Sequence, residues 1–333
     1  MPAPLPAWVV LHGITRPGRA HAQLVRFTRS VASAGLATIV PEVPEGRELS
    51  LSPALTVPTV AAAVRGLRDT GFVRGDRLGL VGFSFGAPHA IAASGHPDLS
   101  DDIAGVCGFG GYCSIEHTIR FMLTGHHEWG GQRHHLRPDP YGRWIVAANY
   151  LTAVPAHEDA ADVADALRAL AQHAGDVGAP SWDPVYDSRI RELRATVGEA
   201  RKGLFDVFAT ESAASGTSRA RGTARPADAA PDRGGAPPDG GPGPDVMGLA
   251  EDLVAGARRR EPAVDPMEAF ERVENQVHVI HGRQDHLIPF TEAHRLGRAI
   301  DDARVTVTRL FGHSGQEGFP FMSAATEVPR FAR

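Results

Sequence analysis

The chain has 333 residues, of which 42% are hydrophobic and 22% charged, and its formal net charge is −5. That is long enough for a large buried core, and the acidic balance argues against a general nucleic-acid binder. Two cysteines, Cys107 and Cys113, exclude a disulfide framework and read as small buried residues, and no apolar run approaches the roughly 18 residues that span a membrane.

The opening Met1-Pro2-Ala3-Pro4 has no basic region and no long apolar stretch. A secretory leader is therefore not expected, and the cytoplasm is the expected compartment. Trp8-Val9-Val10-Leu11 is an apolar strand, followed by the turn His12-Gly13-Ile14-Thr15. Residues 36–40 form a second strand, running into Pro41-Glu42-Val43-Pro44. A third strand, Arg77-Leu78-Gly79-Leu80-Val81, leads directly into Gly82-Phe83-Ser84-Phe85-Gly86. Small residues suited to a helix follow, with Pro88 tolerated in its first turn. A fourth strand covers 102–108.

From there to about residue 270 the periodicity is helical, over 141–151, 157–173 and 186–208. Residues 211–245 are rich in Ala, Gly, Pro, Arg and Asp, with almost no large apolar side chain, and a disordered linker is expected. His126-His127 and His134-His135 raise the question of a zinc site. No cysteine or carboxylate stands at a ligand spacing beside them, so a solvated loop and no metal are expected. A strand over 277–282 is followed by the loop Arg283-Gln284-Asp285-His286-Leu287-Ile288-Pro289. Residues 304–310 alternate polar and β-branched side chains, a last strand that ends at Phe311-Gly312-His313.

Strand, Gly-x-Ser-x-Gly and helix in succession make a turn so tight that the serine is strained and exposed above the sheet. Gly82 and Gly86 leave room where the backbones nearly touch. A serine hydroxyl needs a base, and the base needs an orienting acid. An acid loop and then a histidine appear downstream of Ser84, each just past a strand. Asp285 either orients the base or closes its own loop as an Asx turn.

With these parts in this order, the chain resembles the α/β-hydrolase superfamily over about residues 5–115 and 270–333. It is more loosely similar, through Pro41-Glu42-Val43-Pro44, to the dienelactone-hydrolase-like branch, whose nucleophile is a cysteine where this chain has Ser84. The resemblance implies a mostly parallel, doubly wound α/β sheet. The core is expected over 1–115 and 270–333, with a helical cap insertion over 116–269.

It also implies a Ser84–His313–Asp285 triad, with the backbone N–H groups of Ile14 and Phe85 as the oxyanion hole and Gly13 shaping the first turn. His12, Trp129, Trp144 and Tyr150 are candidates for the substrate pocket. The expected activity is hydrolysis of a small-molecule carboxylic ester through an acyl-enzyme, without cofactor. A peptidase, a thioesterase or an acyltransferase would use the same triad, and a non-catalytic ligand-binding protein would use the same fold.

Overall fold

The molecule is described by a computed structural model covering residues 4–73, 78–211, 245–310 and 312. The strands are β1 (Ala7–Leu11), β2 (Ala37–Ile39), β3 (Leu78–Phe83), β4 (Ile103–Phe109), β5 (His126–Trp129), β6 (Gln132–His135), β7 (Gln276–Gly282) and β8 (Arg304–Thr308). Six of them pair in the order β2-β1-β3-β4-β7-β8, every pair parallel.

Parallel strands need crossovers, and here these are helical: α1 (Ala22–Ser33), α2 (Pro44–Arg47), α3 (Thr56–Asp69), α4 (Gly86–Ser94) and α5 (Ile115–Thr124). The chain continues through α6 (Pro140–Tyr150), α7 (Ala161–Val177), α8 (Asp187–Thr196), α9 (Lys202–Phe208), α10 (Val246–Arg260), α11 (Met267–Phe270) and α12 (Thr291–Ala299).

The central strands are covered on both faces, which is why they read as continuous apolar runs. On one face Val9, Leu80 and Val279 pack with Val60 and Val64 of α3, Ile91 of α4 and Leu296 of α12. On the other, Val10 and Val81 pack with Leu24 of α1, and Phe27 meets Phe83 edge-on at 5.1 Å. This is the doubly wound α/β class expected from the sequence.

Between β4 and β7, helices α5 to α10 bury a second apolar cluster that includes Trp144, Tyr150, Leu167, Tyr186, Phe205 and Phe208. The helical reading of this stretch needs two corrections. Residues 186–208 are two helices, because the chain is extended at Val197 and Gly198 (ψ 138° and 142°) and the helical bonding stops there.

The histidine pairs do not lie in a loop: β5 and β6 form an antiparallel hairpin that sets His126 opposite His135 and His127 opposite His134. Its two-residue turn is Gly130-Gly131, with φ of 59° and 76°, the left-handed values that glycine supplies without strain. Among the described residues no group of three or more His, Cys, Asp or Glu is arranged to hold a metal ion, and no helix is long and apolar enough to cross a membrane.

Of the segment expected to be a disordered linker, 212–244 lies outside the described residues. Its flanks are anchored. Arg191 donates to Glu211 at 2.5 Å, and Asp245 caps α10 by accepting the Gly248 N–H at 2.9 Å.

Candidate active site

Ser84 stands between the end of β3 and the start of α4 with φ +52°, one of three non-glycine residues with positive φ among those described. Its N–H donates to the Phe109 carbonyl at 2.7 Å, and its carbonyl accepts the Ala87 N–H at 2.9 Å. The strand neighbour on one side and the helix on the other thus hold the strained residue in place. The approach of strand to helix is too close for any side chain at Gly82, where a Cβ would lie 2.4 Å from the Gly86 carbonyl oxygen. At Gly86 a Cβ would lie 2.8 Å from the His12 carbonyl oxygen.

The turn after β1 lies directly against this elbow. A Cβ on Gly13 would fall 2.9 Å from the Ser84 Cβ and 3.5 Å from its Oγ. His12 is buried and holds the turn at two points. The Val43 N–H donates to its Nε2 at 3.2 Å, and its Nδ1 donates to the Gly13 carbonyl at 2.8 Å.

Accepting at Nε2 leaves the proton on Nδ1, so the two bonds select one tautomer. The Gly13 carbonyl and the Ile14 N–H belong to the same trans peptide, so they point in opposite directions. Tying the carbonyl to His12 therefore aims the Ile14 N–H away from that ring. Among the described residues no hydrogen bond takes up the N–H of Ile14 or of Phe85. Both side chains pack against the helical cluster, which links the turn after β1 and the elbow to the layer above.

Beside these two residues opens a small cleft that encloses about 30 Å³. Its wall includes His12, Ile14 and Phe85, together with Ser50, Ser52, Thr56 and Thr59 from the stretch between β2 and the first turns of α3. That stretch carries no motif and no periodicity, so nothing along the chain singles out these four hydroxyl residues.

Asp285 follows β7 and is 1% exposed. Its Oδ1 accepts the N–H groups of Leu287 and Ile288, each at 2.9 Å, so the Asx-turn reading describes one oxygen. Its Oδ2 lies 3.3 Å from Nε2 of buried His281, which itself donates to the Ile288 carbonyl at 2.9 Å. His313 lies outside the described residues.

The four pocket candidates separate. His12 lines the cleft. Trp144 and Tyr150 are each 1% exposed inside the helical cluster, where the Trp144 indole N–H donates to the Phe208 carbonyl at 2.9 Å. They serve as packing residues there. Trp129 pins the hairpin to α12 by stacking on His294 at 5.6 Å, with the Arg295 guanidinium 5.7 Å from its ring centroid.

A further pair supports the elbow from below. His89, one turn along α4, packs its ring on Phe85 at 4.5 Å and donates from Nε2 to the Tyr112 hydroxyl at 2.9 Å. Tyr112 in turn donates to the Val264 carbonyl at 2.7 Å. Full burial drives the His89 pKa down to about 3, so the ring is neutral. Burial pushes the Cys107 thiol up to about 12 and raises Cys113 as well, so neither is a ready thiolate.

No family model and no curated protein matches the chain. Among solved structures it is similar to Est1E from Butyrivibrio proteoclasticus with ferulic acid bound, at 10% identity and a TM-score of 0.47, covering 100% of this chain and 92% of that one. It is also similar to 2-hydroxy-6-oxo-6-phenylhexa-2,4-dienoate hydrolase from a Rhodococcus strain, at 15% identity and a TM-score of 0.41, with 99% and 91% covered. A structure of the metagenome-derived lipolytic enzymes LipS and LipT matches at 14% identity and a TM-score of 0.44, with 99% and 93% covered. The molecule's own architecture is more specific: a parallel sheet in the order β2-β1-β3-β4-β7-β8, a serine of positive φ at the turn from β3 into α4, and an aspartate loop after β7. That combination is the α/β-hydrolase fold, and it is the fold of this chain.

Proposed function

We propose that the protein is a serine hydrolase of carboxylic esters. The observation that carries this reading is Ser84, held at φ +52° on the elbow with the Gly13 turn packed against its side chain. A strained serine at this turn has little purpose in packing, and strain of this kind collects at reactive sites. Ser84 attacks the carbonyl carbon, and His313 accepts the proton. Asp285 orients His313 and stabilises the imidazolium, and the N–H groups of Ile14 and Phe85 hold the negative oxygen. The leaving alcohol takes the proton back from His313. Water, activated by the same base, then releases the acid from the acyl-enzyme. The helices between β4 and β7 act as a cap that admits the substrate, since their apolar cluster reaches the side chains of Ile14 and Phe85.

The test is labelling with a fluorophosphonate, followed by mass-spectrometric location of the adduct. Modification of Ser84, abolished in Ser84→Ala, is the expected result. An unlabelled but folded protein would show that the elbow is structural and that the chain binds ligands without turning them over.

A further inference from the structure

Ser84 and Asp285 follow strands that lie two apart, with the end of β4 between them. The sheet fixes their spacing only in part. Pairing of β4 with β7 runs up to Phe109 and Ile280, where the Gly110 N–H donates to the Ile280 carbonyl at 2.9 Å, and Asp285 lies in the loop beyond.

Past that point the turn after β4 rests on the elbow helix. A Cβ on Gly111 would fall 2.7 Å from the Ala87 Cβ. The Tyr112 ring stands 6.3 Å from Phe85, and its hydroxyl accepts from His89 at 2.9 Å. The far end of the same turn is held by one side chain. Glu292, in the first turn of α12, accepts the N–H groups of both Cys113 and Ser114 on Oε2, each at 2.9 Å. The Glu292 N–H donates in turn to the carbonyl of Pro289, at the close of the Asp285 loop, at 2.9 Å.

Glu292 is fully buried. Burying a carboxylate is costly, and for stability alone a well-packed apolar residue often serves as well. Burial raises the Glu292 pKa, opposed by the two N–H groups and by Arg295, whose Nε lies 3.1 Å from Oε1. What the carboxylate supplies is direction. Its bonds to two successive N–H groups fix distance and orientation, which non-directional apolar contact does not.

From this we infer that Glu292 is a positioning residue of the site: it joins the aspartate loop to the turn that rests on the elbow, and so sets Asp285 relative to Ser84. The inference rests on the serine-hydrolase reading, in which a single base must meet Asp285 and Ser84 together. Misplacement by about 1 Å costs such a constellation about 10²-fold. The loss falls on the chemical step and leaves substrate affinity alone.

The experiment follows para-nitrophenyl acetate turnover and the rate of fluorophosphonate labelling of Ser84 in the full chain. Glu292→Leu removes the acceptor at similar volume. It should lower kcat and the labelling rate by about 10–10²-fold with KM little changed. Glu292→Gln keeps an oxygen for both N–H groups and should restore most of the rate. Trp144→Phe, a packing change elsewhere in the helical layer, should keep kcat at a comparable fall in Tm, which separates positioning from general loosening. If Glu292→Leu does not fold, Glu292→Asp, which draws the carboxylate back by one methylene, carries the same comparison. Wild-type kcat in the Leu or Asp variant overturns the inference. So does a change in KM alone, a loss that Gln does not restore, or an equal loss in Trp144→Phe. In each of these cases Ser84 still labels in the wild-type protein, and the hydrolase reading stands. Failure of wild-type Ser84 to label overturns that reading, and the inference with it.

Discussion

Ser84 holds a backbone conformation that costs an L-residue about 1–3 kcal/mol, and the hydrogen bonds to Phe109 and Ala87 keep it there. This separates reactivity from stability in a measurable way. Ser84→Ala keeps the strain and should lose ester turnover by about 10⁴-fold or more. Ser84→Gly removes the strain, so it should be as inactive but more stable than Ser84→Ala by about 1 kcal/mol in denaturant unfolding. Equal stability of the two variants would mean that the elbow stores no strain. Gly13 makes the complementary case. An added Cβ 2.9 Å from the Ser84 Cβ and 3.2 Å from the Phe83 carbonyl must push the Ile14 peptide aside. Gly13→Ala should fold and yet lose activity by roughly 10²–10³-fold, the effect of losing one oxyanion donor. Retained kcat would place the donor elsewhere.

Between elements, the helical layer is held by the Phe208 carbonyl, which accepts both the Trp144 indole at 2.9 Å and Arg143 Nε at 2.7 Å. Trp144→Phe leaves that carbonyl one partner and opens a small cavity in the cluster. A loss of about 1–3 kcal/mol is expected from the missing bond and the void, with acyl preference unchanged because the indole faces the helical core. A shift in chain-length preference at unaltered stability would return Trp144 to the pocket. The segment 212–244 carries almost no large apolar residue. Replacing it with a short Gly/Ser linker between Glu211 and Asp245 should leave Tm and ester hydrolysis near wild type, since loop length enters stability only logarithmically. A sharp loss of either would show that this segment takes part in the site or the fold.

At the scale of the whole molecule, burial makes His89 a source of acid sensitivity. His89 has a folded pKa near 3 against an ordinary 6.5, lowered by burial. Between those values the unfolded chain binds a proton that the folded chain refuses. Stability contributed by this site is therefore intact above the unfolded value and falls as the pH drops toward 3, by about 1.4 kcal/mol per pH unit. His127, lowered to about 4 by burial and then by His134 and its other neighbours, adds in the same direction. Denaturant unfolding at about pH 7 and about pH 5 should show the loss. His89→Phe should flatten the slope, because the Tyr112 hydroxyl keeps its bond to the Val264 carbonyl. An unchanged slope would mean that His89 is not the group responsible.

Local chemistry was enough to read the strands of the sheet, the tight turn at Ser84 and the aspartate loop, because strand burial, glycine turns and Asx turns depend on residues close in the chain. The hairpin was equally local. Gly130-Gly131 was its signal, outweighed by histidines that are not typical strand residues. What sequence could not supply was direction across the fold. Trp144 is aromatic enough for a pocket, and only the packing of α6 against the Phe208 carbonyl turns it into the helical core. His12 lies 31 residues from the Val43 N–H that selects its tautomer. Ser50, Ser52, Thr56 and Thr59 line the same cleft as Ile14 and Phe85 only because β1 pairs with both β2 and β3. The sequence by itself therefore determined the strained serine and the order of the parts, which are matters of neighbouring residues. Tertiary structure alone decided which side chains face the cleft, because that depends on contacts between segments with no common pattern along the chain.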